Sequence, residues 1–427
     1  MTDDDARARL AAAVPANVRQ VCATLSAAGH QAVTVGGAVR DALLGRAPGD
    51  WDVASSAHPD EVLKLFRHTI PTGLQHGTVT VVTGRGALSH VEVTTFRGEG
   101  AYSDARRPDH VVFGVPLVED LARRDLVVNA IAYDPSNDQL IDPFGGRADL
   151  AARVLRAVGD PVARFTEDGL RVMRAVRFAA KLEFALDPAT EAAIAPALPS
   201  LAKVSRERVS DELRKLLAAR EPSRGLVVAA RTGIIATILP ELELEAVTVW
   251  ASRVDRASAA TRLAALFAPF ARRSLDEVSA RHLDRDVVAR VAAFAKALKF
   301  SNAEADTAAS LAGIAHAPHW PPWNPAEVRR ILAELDIKLR PLAAELWASE
   351  PINPALVAEA TRILAAREPL DLGALAIGGK DLIEQVHITP GPLIGRILAL
   401  LLIRVLDDPR ENTRAGLLEH ARSLSLQ

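Results

Sequence analysis

The sequence predicts an α+β multidomain protein, in which a head with a mixed β-sheet is followed by an all-α remainder. Runs of β-branched residues that favour strands lie within the first 150 residues, at 33–35, 78–83 and 91–95. Beyond residue 151 such runs almost vanish, and alanine, leucine and arginine recur with the 3.6-residue period of helices. We therefore expect the strands to be confined to the first part of the chain.

The predicted strands of the head are preceded and separated by helical patterns, at 17–28 and 59–66. In the helical remainder, proline and glycine interrupt the periodic pattern repeatedly, which predicts a succession of separate helices. Candidate joints between domains are the proline-containing segments 221–223, 316–325 and 368–369.

The composition is that of an ordinary folded protein, with 49% hydrophobic and 24% charged residues among 427. The 51 lysines and arginines are balanced by 53 acidic residues, for a formal net charge of −2. This charge excludes a globally basic nucleic-acid binder, so any RNA contact must come from local patches. The lone cysteine, Cys22, excludes a disulfide framework and a cysteine-ligated zinc site, and suits a reducing cytosol.

The sequence offers no candidate for a membrane anchor. The first ten residues are acidic and lack the apolar core of a signal peptide. The most apolar stretch, 393–406, contains Arg396 and Arg404 and is shorter than the ~20 residues that a membrane helix needs. We expect this stretch to be a buried core helix and the protein to be cytoplasmic.

A glycine pair, Gly36 and Gly37, follows the first predicted strand and precedes Arg40 and Asp41. Two glycines let the backbone approach a ligand closely and turn sharply into a helix, while an arginine offers paired N–H donors to phosphate oxygens. By itself the pattern fits a phosphate-binding turn and a structural strand-to-helix turn about equally well. The three spaced glycines of a dinucleotide-binding fold are absent.

Three carboxylates suggest a metal site. Asp50 and Asp52 would lie on the same face of a strand, where their charges repel unless a cation lies between them. Mg²⁺ prefers such oxygen ligands, although an isolated Asp-x-Asp is more often an acidic surface turn. Glu92 lies between valines within a predicted strand, where burying a carboxylate would be costly. It is the candidate third carboxylate, which supports a metal ligand or takes a proton from an attacking hydroxyl.

Further motifs follow in order along the chain: QHGT at 75–78, EVTTFR at 92–97, EDLARRDLVVNA at 119–130, DPFGG at 142–146 and EDGLRVMRAVRF at 167–178. Together with the glycine pair and Asp50-x-Asp52, they resemble the catalytic head of class II nucleotidyltransferases. This family comprises the bacterial CCA-adding tRNA nucleotidyltransferases and the bacterial poly(A) polymerases. The resemblance implies a polymerase-β-like nucleotidyltransferase head with helical neck, body and tail, which we place at 1–150, 151–222, 223–360 and 361–427.

The resemblance also implies roles for individual residues. Asp50 and Asp52 would bind two Mg²⁺ ions for phosphoryl transfer, with Glu92 as the third catalytic carboxylate. The triphosphate and sugar of the substrates, CTP and ATP, would be contacted by the glycine turn and the 119–130 motif, at Gly36, Gly37, Arg40, Arg124, Asp125 and Asn129.

The 167–178 motif carries the predicted base recognition. Asp168 and Arg171 are spaced to share one face of a helix. A carboxylate can accept from the amino group of cytosine or adenine while a guanidinium donates to the adjacent ring nitrogen. Uracil and guanine present a carbonyl beside an N–H, so the same pair would reject UTP and GTP without a nucleic-acid template. By the resemblance, Glu167, Arg174 and Arg177 support this pocket.

Family members differ in the nucleotides that they add. The QHGT segment stands where similar poly(A) polymerases carry an arginine-rich sequence, which favours a tRNA enzyme. Residues 97–121 resemble the flexible loop that CC-adding members lack, with candidate residues Arg97, Tyr102, Asp104, Arg106 and Arg107. We therefore expect full CCA addition, with A addition alone or poly(A) synthesis as alternatives and a non-catalytic RNA-binding relative as the last. The expected partner is the 3′ end and acceptor arm of tRNA, contacted through basic neck residues and the tail. No protein partner is implied.

Overall fold

The computed structural model describes residues 2–86, 89–99, 111–240, 242, 247–272, 281–319, 322–350 and 352–425. The chain forms two compact units, Met1–Pro240 and Glu241–Gln427. The finer division at residues 150, 222 and 360 remains a prediction.

The first unit contains a mixed seven-stranded sheet. In chain order its strands are β1 (Ala32–Val35), β2 (Asp52–Ser55), β3 (Thr69–Gly73), β4 (Thr78–Val82), β5 (His90–Thr95), β8 (Ala132–Asp134) and β9 (Gln139–Ile141). Their order across the sheet is β3-β4-β5-β2-β1-β8-β9. Only β2 and β5 run parallel to each other. The three predicted strands are confirmed as β1, β4 and β5.

Two small ribbons accompany this sheet. One pairs β6 (Arg97–Glu99) with β7 (Val111–Phe113), and the other pairs β10 (Val154–Leu155) with β11 (Ala185–Leu186).

Thirteen helices belong to the described part of the first unit. They are α1 (Asp3–Ala13), α2 (Ala16–Ala27), α3 (Gly37–Leu43), α4 (Pro59–Leu65), α5 (Leu117–Ala122), α6 (Gly146–Ala152), α7 (Pro161–Glu167), α8 (Leu170–Leu182), α9 (Pro188–Ala192), α10 (Ile194–Leu201), α11 (Arg206–Leu217), α12 (Ser223–Arg231) and α13 (Ile234–Ile238). Helices α7 and α9 each begin at a proline that follows an aspartate, because Asp160 and Asp187 accept from N–H groups of the first helical turn.

The core of the first unit holds the strands and α8 in place. Buried Val33 and Val35 of β1 pack with Phe96 and Leu121 under the sheet. Helix α12 crosses α8 so closely that a Cβ atom at Gly225 would lie 2.4 Å from the carbonyl oxygen of Val176. Only glycine fits at this crossing. These contacts fix α8, which carries residues 170–178 of the 167–178 motif.

The second unit is helical throughout its described residues. Its helices are α14 (Val247–Arg256), α15 (Arg262–Phe267), α16 (Arg285–Ala297), α17 (Asn302–Ala312), α18 (Pro325–Ala333), α19 (Arg340–Ala348), α20 (Pro354–Ala365), α21 (Gly379–Val386), α22 (Pro392–Asp407) and α23 (Arg414–Ser425). None of the described helices is long and apolar enough to cross a membrane.

Helix α22 corresponds to the apolar stretch 393–406. It buries Ile397, Leu401 and Val405 against α21 and α23 but leaves Leu400 and Ile403 about half exposed, at 49% and 52%. The expectation of a wholly buried core helix is therefore wrong for one face of α22.

Candidate active site

A cleft of about 950 Å³ lies within the first unit. Strands β1, β2, β4 and β5 line it together with the turn before α3, residues 123–129 and helix α8. The described lining residues include nine arginines and lysines but only five aspartates and glutamates. This excess of positive charge suits the binding of a polyanion.

Two carboxylates meet on the strands of the cleft. Asp52 begins β2, and its Cα atom is paired in register with that of Glu92 on the parallel strand β5. Side chains at paired positions point to the same side of a sheet. Asp52 and Glu92 are exposed in the cleft, whereas Val53 and Val93, the next residue of each strand, are buried. Glu92 therefore lies on the cleft side of β5, and its role as the third catalytic carboxylate stays a prediction.

Asp50 occupies a different position from the one expected. Strand β2 begins only at Asp52, so Asp50 precedes the strand and is not among the described residues that line the cleft. The prediction that both carboxylates belong to one strand is wrong, because the chain still bends at Asp50. Their predicted placement on one face agrees with the alternation of exposed Asp50, buried Trp51 and exposed Asp52. The charge of Asp50 nevertheless acts on Asp52.

The electrostatic state of Asp52 favours a cation. Burial and the negative charges of Glu92 and Asp50 raise the pKa of Asp52 to about 6, although the Arg124 guanidinium opposes the shift. No group of three His, Cys, Asp or Glu side chains in the described residues forms a complete metal site. Mg²⁺ commonly takes only one or two carboxylates and fills its other positions with water and substrate phosphates. The donor set therefore fits Mg²⁺ bound together with a triphosphate.

The turn before α3 brings Arg124 close to the backbone. Gly36 has φ +78°, and a Cβ atom there would lie 2.9 Å from Nη1 of Arg124. A Cβ atom at Gly37 would lie 3.6 Å from Nη2 of Arg40. Arg124 thus lies beside both Gly36 and the charge of Asp52, where a phosphate group can reach it.

Arg40 is buried and fully engaged by protein partners. Its Nε donates to Oδ1 of Asp41 at 2.8 Å, and its Nη1 donates to Oδ1 of Asn129 at 2.5 Å. Asn129 in turn donates to Oδ1 of Asp125 at 3.0 Å, and Asp125 accepts from Nε of Arg174 at 2.7 Å. This network links α3 to Arg174 of α8 and fixes these side chains at the cleft. The contact predicted for Arg40, Asp125 and Asn129 with the triphosphate and sugar stays a prediction, and all three line the cleft.

Asp168 and Arg171 both line the cleft, but they do not share a helix face as predicted. Helix α7 ends at Glu167 and α8 begins at Leu170, so Asp168 lies in the extended junction between them. Arg171 is in the first turn of α8. At this junction the chain packs tightly on α10, since a Cβ atom at Gly169 would lie 2.3 Å from backbone atoms of that helix.

Each of these two side chains is oriented by protein contacts. Asp168 accepts from Nη2 of Arg208 at 2.8 Å and from the backbone N–H of Leu170 at 3.1 Å. Arg171 donates to Oε2 of Glu167 at 2.6 Å and to the carbonyl oxygens of residues 164 and 123 at 2.9 and 3.1 Å. The predicted support by Glu167 thus corresponds to a direct ion pair with Arg171.

The other predicted residues differ in how they reach the cleft. Arg177 lines it while pairing with buried Glu212 of α11 at 2.5 Å. Arg97 also lines it and donates to the carbonyl oxygen of His76 at 2.6 Å. The remaining predicted loop residues, Tyr102, Asp104, Arg106 and Arg107, lie outside the described residues.

Several cleft residues were not predicted as nucleotide-site residues, among them Arg208, Phe178 and Lys181. Arg208 is 40 residues from Asp168 in sequence, so no local pattern indicates their contact. Phe178 packs under the guanidinium groups of Arg40, Arg174 and Arg177. Lys181 lies one turn beyond Phe178. The spacing of residues 171, 174, 178 and 181 along one helix face was the available signal for the last two.

Three models of known protein families match consecutive parts of the chain. The model described as "Poly A polymerase head domain" matches residues 32–156. "Probable RNA and SrmB- binding site of polymerase A" matches 183–245, and "tRNA nucleotidyltransferase domain 2" matches 284–421.

The CCA-adding enzyme of Leuconostoc mesenteroides is 37% identical to the chain over 386 residues, which cover 90% of each protein. The chain belongs to the family of bacterial CCA-adding enzymes. A second CCA-adding enzyme, from Geobacillus kaustophilus, is 38% identical over 402 residues, or 92% of this chain and 94% of its own. The family membership predicted from the ordered motifs is thereby confirmed.

Solved structures of CCA-adding enzymes confirm the α+β multidomain fold. The Bacillus stearothermophilus CCA-adding enzyme in complex with CTP matches with a TM-score of 0.68 and 33% identity, covering 96% of this chain and 98% of its own. The Thermotoga maritima CCA-adding enzyme complexed with tRNA matches with a TM-score of 0.68 over 97% of each chain. At 19% identity, this second match bears on the fold alone.

Proposed function

We propose that this chain adds CMP, CMP and AMP in turn to the 3′ end of tRNA, from CTP and ATP and without a nucleic-acid template. The observation that carries the proposal is one cleft that combines the Asp52 and Glu92 carboxylates with the Asp168 and Arg171 side chains. Family membership over nine tenths of the chain supports the same reaction. Since tRNA and nucleoside triphosphates are its substrates, we expect the protein to act in the cytoplasm.

We propose that Asp50 and Asp52 hold two Mg²⁺ ions, with Asp52 as the central ligand. When bound, Mg²⁺ would neutralise the triphosphate and favour ionisation of the attacking 3′ hydroxyl. Glu92 is positioned beside Asp52 to assist a ligand or accept the hydroxyl proton. In the transfer, the 3′ oxygen bonds to the α-phosphorus while the bond to the β-phosphate oxygen breaks and pyrophosphate leaves with that electron pair. Arg124, beside Gly36 and Asp52, binds the phosphates directly.

Base selection is assigned to Asp168 and Arg171. A carboxylate oxygen of Asp168 accepts from the amino group of cytosine or adenine, and Arg171 donates to the neighbouring ring nitrogen. Arg208 fixes Asp168 and Glu167 fixes Arg171, so neither side chain needs to find its orientation when the nucleotide enters. Because both side chains are held rigidly, the site rejects uracil and guanine. The carbonyl of either base would face the Asp168 carboxylate, and the ring N–H would face the Arg171 guanidinium.

The assay uses purified protein, Mg²⁺ and two tRNA transcripts, one ending at the discriminator base and one ending in CC. Each transcript receives CTP alone, ATP alone or both, and product lengths are read on a denaturing gel. We expect C, C and A on the first transcript and a single A on the second. Reaction of only the CC-ended transcript would indicate an A-adding enzyme, and long adenosine tails a poly(A) polymerase. No extension of either transcript would leave only a non-catalytic RNA-binding role.

A further inference from the structure

Lys181 is the last cleft-lining residue of helix α8. Six residues of this helix line the cleft, and four of them, Arg171, Arg174, Phe178 and Lys181, form one row at spacings of three and four residues. At 1.5 Å per residue, Lys181 lies about 15 Å along the helix axis from Arg171. The two residues therefore mark opposite ends of one row of side chains in the cleft.

The two cleft-lining arginines near Lys181 are each paired with a carboxylate, whereas Lys181 is not. Arg40 is paired with Asp41 at 2.7 Å, and Arg177 is paired with Glu212 at 2.5 Å. Within the described part of the chain, no carboxylate lies within 4 Å of the Lys181 ammonium group and no hydrogen bond orients it. Lys181 is exposed and free to reach a ligand in the cleft.

The electrostatic environment of Lys181 disfavours its own charge. Burial of the stem, the positive charge of Arg40 and then the charges of Arg177 and Arg46 lower the pKa of Lys181, and Asp41 only partly offsets them. An ammonium group held among like charges gains most when an anion binds. Holding these like charges close together without a ligand costs free energy. We therefore expect an anionic ligand to bind beside Lys181.

The position of Lys181 along α8 indicates which part of a nucleotide it meets. The proposed base contacts, Asp168 and Arg171, lie at the opposite end of the row, and the reacting α-phosphate must lie near Asp52. A nucleoside triphosphate is elongated, with its base at one end and its terminal phosphates at the other. The terminal phosphates therefore extend towards Arg40 and Lys181.

We propose that Lys181 binds the terminal phosphates of the incoming CTP or ATP and the pyrophosphate that leaves. This inference rests on the proposed function for the orientation of the nucleotide. It assigns to Lys181 a binding role that is independent of the base, because the phosphates are common to both substrates. Arg40 and Arg177 remain paired with protein carboxylates, so Lys181 is the one cleft-lining cation at this end of α8 that has no carboxylate partner among the described residues.

The test compares the affinities of nucleotides that differ only in their phosphates. Isothermal titration of the full-length protein in Mg²⁺ buffer gives Kd values for CTP, ATP and CMP. K181Q should weaken CTP and ATP binding about 10-fold, the size of one charge-assisted hydrogen bond, and leave CMP binding within about twofold. K181R should restore most of the loss. K64Q, at the exposed end of α4, removes the same charge from the same unit and should change none of the three.

Two results would overturn the assignment. Equal weakening of CTP and CMP by K181Q would mean that the side chain acts through the pocket structure rather than on the phosphates. Unchanged CTP binding with weaker binding of tRNA, measured by filter retention, would move Lys181 to the RNA backbone. Selective loss of triphosphate affinity in a protein that extends no tRNA would support the assignment while rejecting the proposed function, so the two failures are distinguishable.

Discussion

The carboxylate of Asp125 accepts from Nε and Nη2 of Arg174 at 2.7 and 2.6 Å, and so joins the 119–130 motif to helix α8. The pair is held from both sides, because Asn129 and the backbone N–H of Leu126 also donate to Asp125. Burial alone would raise the pKa of Asp125. The charge of Arg174 and these hydrogen bonds outweigh it and lower the pKa to about 2.

Replacing Asp125 should therefore destabilise the first unit. D125N leaves the Arg174 guanidinium without its carboxylate, and we expect unfolding free energy to fall by about 3 kcal/mol in urea denaturation. The folded pKa lies below the usual value, so the ionised carboxylate stabilises the fold above about pH 4 and loses this effect as the pH falls towards 2. The difference between wild type and D125N should shrink over that interval. A constant difference from pH 7 to pH 2 would show that the charge of Asp125 is not what stabilises it.

The pKa of Asp52 gives a second prediction, because it is shifted upwards whereas that of Asp125 is shifted downwards. Without metal, its carboxyl should titrate near pH 6 in an NMR experiment that follows the side-chain carbon. Mg²⁺ binds the ionised form, so adding Mg²⁺ should lower the apparent pKa by one unit or more, since one unit corresponds to about 1.4 kcal/mol.

Activity should depend on the same carboxyl. D52N should abolish nucleotide addition while the circular dichroism spectrum and melting temperature stay close to wild type, because the side chain is exposed in the cleft. E61Q is the matched control, because it also removes one carboxylate but lies on the surface helix α4. This variant should remain active. Addition by D52N at more than a few per cent of the wild-type rate would remove Asp52 from the metal site.

Base selection should respond differently to Asp168 and to the arginine that holds it. D168A removes the acceptor itself, so UTP and GTP should be incorporated at rates that approach those of CTP and ATP. R208Q removes only the 2.8 Å contact that orients Asp168, and we expect a roughly 10-fold higher KM for CTP and ATP with UTP still excluded. Single-nucleotide incorporation on a gel distinguishes the two. If UTP stays excluded in D168A, the base is selected elsewhere.

The sequence predicted which residues line the cleft better than how these residues meet. The strand pattern of 91–95 placed Glu92 on the cleft side, and the cleft contains Asp52 beside it. The register that pairs these two residues depends on the parallel contact of β2 and β5, which no local pattern encodes. The contact between Arg208 and Asp168 is likewise not encoded locally, because only the packing of α11 on α8 brings the two residues together.

The prediction from helical spacing was wrong at the point where one helix ends and the next begins. Asp168 and Arg171 are three residues apart, which fits one helix face, but α7 ends at Glu167 and α8 begins only at Leu170, next to Gly169, which packs against α10. The apolar stretch 393–406 likewise predicted the helix α22 correctly but not its exposed face.

Gly169 provides the last prediction, because its replacement tests this packing directly. Alanine would add a Cβ atom 2.3 Å from the backbone of Ser200 and Leu201, and neither backbone atom can rotate away as a side chain would. G169A should therefore cost about 2–3 kcal/mol in unfolding free energy and should raise the KM for CTP and ATP by displacing Asp168. G378A is the matched control, since Gly378 precedes α21 as Gly169 precedes α8 and a Cβ there meets nothing within 4 Å. If G169A and G378A unfold at the same urea concentration, the junction between α7 and α8 is set by something other than its contact with α10.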